Sequence, residues 1–346
     1  MNMVKVTIDG KEVFAQKEAT ILKAAASAGI RIPTLCFHER MKPIGSCGMC
    51  VVEIEGDSTP IASCKTPVAD GMSIITKSDR LSGVRQDALK ALLVKHPLDC
   101  PICDKAGECM LQDLVYEHGI VKVEAQTPTS KFIAGYTTPF IKSWPERCVL
   151  CLRCVSACNE IQGIGAIEVV DGPHGQRISY DRDKCVSCGE CIQVCPVGAL
   201  LEKKANNRWR IWEVKQVRTT CPYCGVGCQL SLHVKNGRIV RVRGVEDGEP
   251  NRGRLCVKGR YGFDFIHSED RLKTPLIKEN GQFREASWDE ALDLVVSKFK
   301  EIIAQSGPDA IAGVSSARSI NEDSYQMQKL FRSVIGTNNI DHCART

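Results

Sequence analysis

Of the 20 cysteines in this 346-residue chain, all but Cys343 fall into groups with fixed internal spacing. The first is Cys36-x10-Cys47-x2-Cys50-x13-Cys64, and the second opens on a histidine, His96-x3-Cys100-x2-Cys103-x5-Cys109. Two further groups repeat one pattern, Cys148-x2-Cys151-x2-Cys154-x3-Cys158 and Cys185-x2-Cys188-x2-Cys191-x3-Cys195. The last is Cys221-x2-Cys224-x3-Cys228-x27-Cys256. With His96 these make five sets of four, the number of ligands that a tetrahedral metal or an iron-sulfur cluster takes. The start, MNMVKVTIDG, is strand-like and has no signal-peptide pattern, and no apolar run reaches the length of about 18 residues that a membrane span needs. A cytoplasmic location without a membrane span is therefore expected. In such a reducing compartment so many thiols are metal ligands, not disulfides.

Spacing separates zinc from iron and sulfide, both of which accept four thiolates. C-x2-C-x2-C-x3-C is the run of bacterial ferredoxins, in which the fourth cysteine ligates the neighbouring cluster. Cys148, Cys151, Cys154 and Cys195 are thus expected to hold one [4Fe-4S] cluster, and Cys185, Cys188, Cys191 and Cys158 a second. A zinc scaffold is the alternative, and two complete ferredoxin runs argue against it. Asn159 stands where a proline often follows the fourth cysteine, which leaves the ligand itself intact.

The first group resembles the [2Fe-2S] ligand set in the N-terminal domain of the large iron-sulfur subunits of NADH dehydrogenases and iron-only hydrogenases. This implies a [2Fe-2S] cluster on Cys36, Cys47, Cys50 and Cys64. The surrounding residues fit a β-grasp ferredoxin: VKVTIDG, a turn at Gly10, KEVFAQ, then Thr20 as cap of the helix ILKAAASAG. Gly45 and Gly48 beside Cys47 let the backbone fold tightly and turn its N–H groups toward cluster sulfurs. In HPLDCPICDKAGEC three cysteines leave one ligand place open. His96, at the end of the helical stretch VRQDALKALLVKH, is the nearest candidate for it, with a structural histidine as the alternative. The run resembles the [4Fe-4S] site with one His and three Cys ligands in the same subunit families. That implies ligation by His96, Cys100, Cys103 and Cys109, and a site one negative charge lower than four thiolates give.

CPYCGVGC at 221–228, the strand-like CQLSLHVKNGRIVRVRGV and LCVKGRYGFDFI resemble the N-terminal iron-sulfur domain of molybdopterin-dependent formate dehydrogenases, as do DRLKTPLI, SWDEALDLV and GTNNIDHCAR further on. The domain order is similar to that of the catalytic subunit of NAD(P)-dependent formate dehydrogenases, over nearly the whole chain. The resemblance implies a fifth, [4Fe-4S] cluster on Cys221, Cys224, Cys228 and Cys256. It also implies an electron-transfer role for Lys258 on the pterin side, against the plain alternative of a surface lysine. Formate oxidation to CO2, or the reverse, would occur at a Mo- or W-bis(pterin guanine dinucleotide). Electrons would pass through one [2Fe-2S] and four [4Fe-4S] clusters to a flavin- and NAD(P)-binding partner of NADH-dehydrogenase type with a small iron-sulfur subunit, or to ferredoxin. No strand is followed by GxGxxG, so the nicotinamide site is expected on the partner. The rivals are the large iron-sulfur subunit of NADH dehydrogenase, which typically lacks the tandem pair, and the iron-only hydrogenase subunit, which continues into other paired-cysteine motifs. In the formate dehydrogenases a metal-binding selenocysteine or cysteine follows Cys-Ala-Arg-x. The ending Cys343-Ala344-Arg345-Thr346 therefore implies no catalytic residue within the chain and a selenocysteine at the next position, its UGA codon read as a stop. Cys343 would be a nearby structural thiol.

The elements that must carry these sites give an α+β multi-domain chain. The expected parts are a β-grasp [2Fe-2S] ferredoxin domain at 1–78, a His-ligated [4Fe-4S] domain at 79–120 and a linker rich in Thr, Pro and Gly at 121–144. A two-[4Fe-4S] ferredoxin domain follows at 145–215, then a molybdopterin-oxidoreductase [4Fe-4S] domain at 216–272 and an incomplete α/β molybdopterin-binding domain at 273–346. Between Cys158 and Cys185, IGAIEVVDGPHGQRISY reads as two strands joined by a turn, with Tyr180 packing on the ferredoxin core. Ser287 is the expected cap of a helix over WDEALDLVVSKFKEIIAQS, 309–315 reads as a buried strand, and NEDSYQMQKLFRSVI as a helix ended by Gly336. One parallel strand cannot close its own hydrogen bonds, so more strands are expected beyond it. The formal charge of +5 falls to about −4 once five oxidised clusters are counted, which removes the argument for a nucleic-acid or membrane partner. Lys203, Lys204, Arg238, Arg241 and Arg243 read as solvated faces, because no stacking aromatics interleave with them.

Overall fold

The computed structural model describes residues 3–123, 136–172, 175–205 and 209–343. They form two compact units, Met1–Lys215 with His233–Asn236, and Gln216–Leu232 with Gly237–Thr346.

In the first unit, alternation along Met3–Ile8 buries Val4, Val6 and Ile8, and this strand pairs antiparallel with Lys11–Gln16 through a two-residue turn. Asp9 and Gly10 supply that turn with φ of 48° and 80°. Ser73–Ile75 runs parallel to the first strand, Val51–Ile54 antiparallel to Ser73–Ile75, and Ile61–Ala62 forms the edge. The helix Ile21–Ser27, whose cap Thr20 accepts the Lys23 N–H at 3.4 Å, lays Ile21, Leu22, Ala24 and Ala25 into the core of this domain. This is the expected β-grasp arrangement.

The helix Asp79–Lys95 starts where the Ser78 hydroxyl accepts the Leu81 N–H at 3.1 Å. Its inward stripe recurs every four residues: Leu81, Arg85, Leu89 and Leu93 are all buried. Leu89 and Leu93 join Leu111 and Leu114 of the helix Met110–Glu117 and Ile192 and Leu200 in one core. The two ferredoxin-type runs share this core, each containing a short helix, Arg153–Ser156 and Glu190–Val194. Ile167–Gly172 pairs with Gly175–Tyr180 as the expected hairpin, whose turn residues 173–174 lie outside the described residues.

The linker expected at 121–144 needs correction where it is described. Ile141–Ser143 pairs antiparallel with Leu200–Glu202, Ile141 and Ser143 are buried, and Thr138 Oγ1 accepts the N–H groups of Phe140 and Ile141. A three-residue strand is too short to show a period, so its turn-rich surroundings dominate the sequence signal. Residues 124–135 of that segment lie outside the described residues.

The second unit carries most of a three-stranded sheet, Lys215–Thr220, Gln229–Lys235 and Arg238–Gly244 in that order. The last four residues of the third strand are buried on both faces, so Arg241 and Arg243 are covered, contrary to the solvated reading. Trp288–Ser306 is helical as expected, with Ser287 Oγ accepting the Glu290 N–H at 3.1 Å. The expected buried strand over 309–315 shrinks to Gly313–Ser315, preceded by a 3₁₀ turn at Pro308–Ala310, and Val314 is 72% exposed. Its parallel partner is within the chain, Ile340–His342. The second helix, Asn321–Lys329, widens into a π-helical turn at Leu330–Ile335 and stops at Gly336, φ 89°. Among the described residues no helix is long and apolar enough to cross a membrane.

Candidate iron-sulfur sites

Cys36, Cys47, Cys50 and Cys64 gather beside the β-grasp sheet as two pairs. Cys47 donates to Cys36, and Cys64 to Cys50, holding the Cys36 thiol down to about 5 and the Cys50 thiol to about 6, while the two donors are pushed up. Gly45 and Gly48 take φ of 70° and 68°, and the tight loop aims the N–H groups of Ser46 and Cys47 at the Cys36 sulfur and that of Met49 at the Cys47 sulfur. Two sulfur pairs suit a two-iron cluster, whose irons each take two thiolates. The loop is held from behind by Arg85, which donates to the carbonyls of Met49 at 3.1 Å, Val51 at 2.7 Å and Thr76 at 3.0 Å.

Cys148, Cys151 and Cys154 of the third run line one cavity with Cys195 of the fourth, together with Ile178 and Tyr180. The crossed ligand set expected from spacing is thus assembled in space. Around Cys191 the neighbouring thiols are Cys188, Cys185, Cys195 and Cys158, which contain the second crossed set. The two loops repeat one backbone conformation. Leu150 and Leu152 have φ of 49° and 60°, Ser187 and Gly189 have 54° and 78°, and each pair precedes a short helix. The Leu150 N–H reaches the Cys148 sulfur at 3.4 Å and the Ala166 N–H the Cys158 sulfur at 3.3 Å. Burial pushes Cys148 up to about 11, Cys151 to about 12, and Cys154 and Cys191 well above the usual thiol value, so metal must displace these protons. Tyr180 packs as expected, stacked on Tyr136 with centroids 4.6 Å apart, and its phenol faces Cys154 and Cys191.

His96 ends its helix, its N–H bonded to the Leu92 and Leu93 carbonyls. Burial pulls its pKa down, which favours the neutral imidazole that a metal ligand must be. Asp99 and Arg147 lie near both His96 and Cys103, and Cys103 in turn lies near Cys100 and Cys109. Arg147 is 3% exposed and pairs with Asp99 at 2.5 Å. Arg210 donates to the Cys103 carbonyl at 2.7 Å and fixes the loop from the other side.

In the second unit Cys221 lies beside Cys256 and Cys224, and Cys228 beside all three. The Cys221 N–H bonds the Cys228 carbonyl at 2.8 Å, which closes the loop. Lys258 is exposed, with Nζ 5.9 Å from the Tyr223 ring centroid and near enough to Cys221 to favour its thiolate. Cys343 is exposed, with its sulfur 3.7 Å from Ser316 Oγ, and hydrogen bonds from the Ala317 backbone and Ser316 hold its thiol down.

Among the described residues no three His, Cys, Asp or Glu side chains gather tightly enough for a single metal ion. Sequence reasoning passed over Arg85, Arg147 and Arg153. The signal available for the last two was an arginine set immediately before or inside a cysteine run.

Family models match in succession along the chain: a 2Fe-2S iron-sulfur cluster binding domain at 1–79, the NADH-ubiquinone oxidoreductase-G iron-sulfur binding region at 85–124, and 4Fe-4S dicluster domains at 147–199 and 177–231. The molybdopterin oxidoreductase Fe4S4 domain follows at 214–268 and molybdopterin oxidoreductase at 271–346. The chain is 44% identical to the NADPH-Fe(3+) oxidoreductase subunit alpha of Geobacter sulfurreducens, over 99% of this chain and 40% of that protein. It is 40% identical to a G-type NADH-quinone oxidoreductase protein of Rhizobium meliloti, over 99% and 40%. A putative formate dehydrogenase of Staphylococcus aureus is 33% identical over 98% of this chain and 39% of its own length. The chain thus spans about 40% of the length of these curated relatives. The crystal structure of an NAD+-reducing [NiFe]-hydrogenase in the H2-reduced state matches with a TM-score of 0.55 and 31% identity, over 60% of this chain and 91% of that one. Ordered cysteine quartets, a β-grasp front end and a molybdopterin-type tail coincide with these matches, so that the chain is similar, part by part, to molybdopterin oxidoreductase iron-sulfur domains and to G-type NADH-quinone oxidoreductase proteins.

Proposed function

We propose that this chain is the electron-relay portion of a formate dehydrogenase catalytic subunit, with one [2Fe-2S] and four [4Fe-4S] clusters on the five ligand sets. The domain limits are those given by the sequence, except that the tandem-cluster part reaches back to include Tyr136–Trp144. The observation that carries the relay is the meeting of Cys195 with Cys148, Cys151 and Cys154 at one cavity. Bound clusters would supply one-electron redox chemistry at each site. The chain's own part is to hold the thiolates, to exclude water by burial, and to offset charge with backbone N–H groups aimed at the sulfurs. Lys258 beside Cys221 offers a cation at the last site.

Iron and sulfide analysis of the anaerobically assembled chain tests the relay, with about 18 iron atoms per chain expected. A content near four to eight, or stoichiometric zinc, contradicts it. His96→Cys should keep its cluster at an altered potential and His96→Ala should make it labile. Unchanged redox titrations in both variants would leave His96 a structural histidine.

Formate as substrate is supported by the CPYCGVGC and Cys-Ala-Arg motifs and by the likeness to the putative formate dehydrogenase. A selenocysteine after Cys-Ala-Arg-Thr, a Mo- or W-bis(pterin guanine dinucleotide), and a flavin- and NAD(P)-binding partner or ferredoxin belong to this proposal. The 44% identity to the NADPH-Fe(3+) oxidoreductase subunit favours a second reading, an NADPH-linked reductase subunit. The complex purified from its source separates the two: formate-dependent reduction of a viologen dye supports the first. NADPH-dependent Fe(3+) reduction without formate activity supports the second.

A further inference from the structure

Four arginines stand among the cysteine sites of the first unit, Arg85, Arg147 and Arg153 buried and Arg40 with its side chain 9% exposed. Arg85 donates only to carbonyls and lies beside Cys50 of a single site. Two are neutralised: Arg40 pairs with Glu190 at 2.7 Å and Arg147 with Asp99 at 2.5 Å. Arg153, 5% exposed, is different. Its Nη2 donates to the carbonyl of Phe37, the residue after Cys36, and its Nη1 to the carbonyl of Val194, the residue before Cys195, at 3.4 Å. Nη1 also lies 3.3 Å from the Met110 sulfur, and Nε has no hydrogen-bond partner among the described residues. Every acceptor is neutral, and among the described residues no carboxylate pairs with this guanidinium. It is therefore a lone buried cation strapped between the loop of the β-grasp site and the end of the tandem run.

We propose that Arg153 is a shared, uncompensated cation that raises the reduction potentials of the Cys36/Cys47 site and the Cys151/Cys195 site together. The cysteines that lie near it are Cys151, Cys195, Cys36 and Cys47, two from each site, and the guanidinium stays protonated in spite of burial. A site that takes up an electron gains one negative charge, and a fixed cation facing it in a low-dielectric interior stabilises the reduced form. One cation facing two sites acts on both at once, so both potentials move in the same direction. Burial keeps salt from screening the effect. Arg153 does not ligate, so it is a positioning and tuning residue, and its role rests on the ligand assignment proposed above.

The test is an EPR-monitored redox titration of the full chain, reconstituted anaerobically, as wild type and as Arg153→Gln, Arg153→Met and Arg153→Lys. The wild-type spectrum with its iron content decides the ligand assignment by itself, so failure of that reading is seen before any variant is compared. The neutral variants should lower the midpoints of the [2Fe-2S] signal and one [4Fe-4S] signal together, leave the other signals in place, and keep the shift in high salt. Arg153→Lys should restore both midpoints toward wild type. Unchanged midpoints, a shift in only one signal, or a Lys variant displaced as far as the neutral ones would overturn the proposal. So would loss of clusters in both neutral variants with retention in Lys, which marks a folding cation.

Discussion

Gly198 stands where any side chain would strike the Cys103 sulfur: a β-carbon there would lie 2.5 Å from Sγ, 3.3 Å from Lys105 Cβ and 3.4 Å from Arg147 Cδ. The backbone of the tandem-cluster fold thus passes directly over the His96 site, and the absence of one methyl group permits it.

Gly198→Ala should therefore push Cys103 off its position and cost about 1–3 kcal/mol of overpacking, shared between the two loops. Because Cys103 is one of the three thiolates proposed for the His96 cluster, the expected readout is selective. Iron content should fall by about four atoms per chain, with loss of one [4Fe-4S] EPR signal and retention of the others. Full iron content with an unchanged spectrum would show that the loops yield without cost.

How much of this is legible in the sequence depends on what each feature is made of. Ligand sets are written in spacing, so the crossed quartet of Cys195 with Cys148, Cys151 and Cys154 follows from the chain alone. Caps are equally local: Thr20, Ser78 and Ser287 each accept an N–H three residues on, and Thr20 and Ser287 are expected as caps from sequence. Arg153 is not legible, because its two carbonyl partners lie 116 and 41 residues away. The strand Ile141–Ser143 escapes for a related reason, since its partner Leu200–Glu202 lies beyond both ferredoxin runs. Arg241 and Arg243 read as solvated because charge alone carries no record of what covers a strand.

Arg85 bonds the Met49 and Val51 carbonyls on either side of Cys50 and the Thr76 carbonyl after the strand Ser73–Ile75 from inside an otherwise leucine stripe, and burial pulls its guanidinium down from its ordinary value. Arg85→Leu extends the stripe and leaves the Met49, Val51 and Thr76 carbonyls without that donor, at a cost of about 3–5 kcal/mol. Urea titration of the full chain should show the [2Fe-2S] absorbance lost at lower denaturant than in wild type, ahead of the other clusters. An unchanged midpoint would mean that helix packing alone fixes the loop.

Arg31 and Glu117 join the β-grasp domain to the helix Met110–Glu117 through paired bonds of 2.6 and 2.8 Å, and the hydrogen bond from Arg31 holds the Glu117 carboxyl below its usual value. The side chains are 69% and 39% exposed, so the pair is worth less than about 1 kcal/mol in spite of its geometry. A depressed carboxylate stabilises the fold above the unfolded value, near 4.5, and the contribution fades only as pH falls through the lower folded value. The stability difference between wild type and Arg31→Ala should thus be flat from about pH 6 to 9 and shrink in high salt. A difference that grows with pH across that range, or that salt leaves intact, would contradict the assignment.

Leu152 caps the helix Arg153–Ser156 at φ 60°, where the second run has Gly189 at 78° before Glu190–Val194. The left-handed conformation costs a residue with a β-carbon roughly 1–2 kcal/mol, which Gly189 avoids. Leu152 is half-buried at the edge of the cavity lined by Cys148, Cys151, Cys154 and Cys195, so its apolar contacts offset part of that cost. Replacing it separates the two effects. Leu152→Ala removes the contacts and keeps the strain, whereas Leu152→Gly removes both. In an ordinary helix position glycine is the worse of the two by about 0.5–1 kcal/mol. Here the order should invert, with Leu152→Gly more stable than Leu152→Ala by about 1 kcal/mol in thermal unfolding of the cluster-loaded chain. Alanine proving the more stable would mean that the loop at Leu152 relaxes to another conformation when the side chain is cut back, and that the two runs do not share one backbone path.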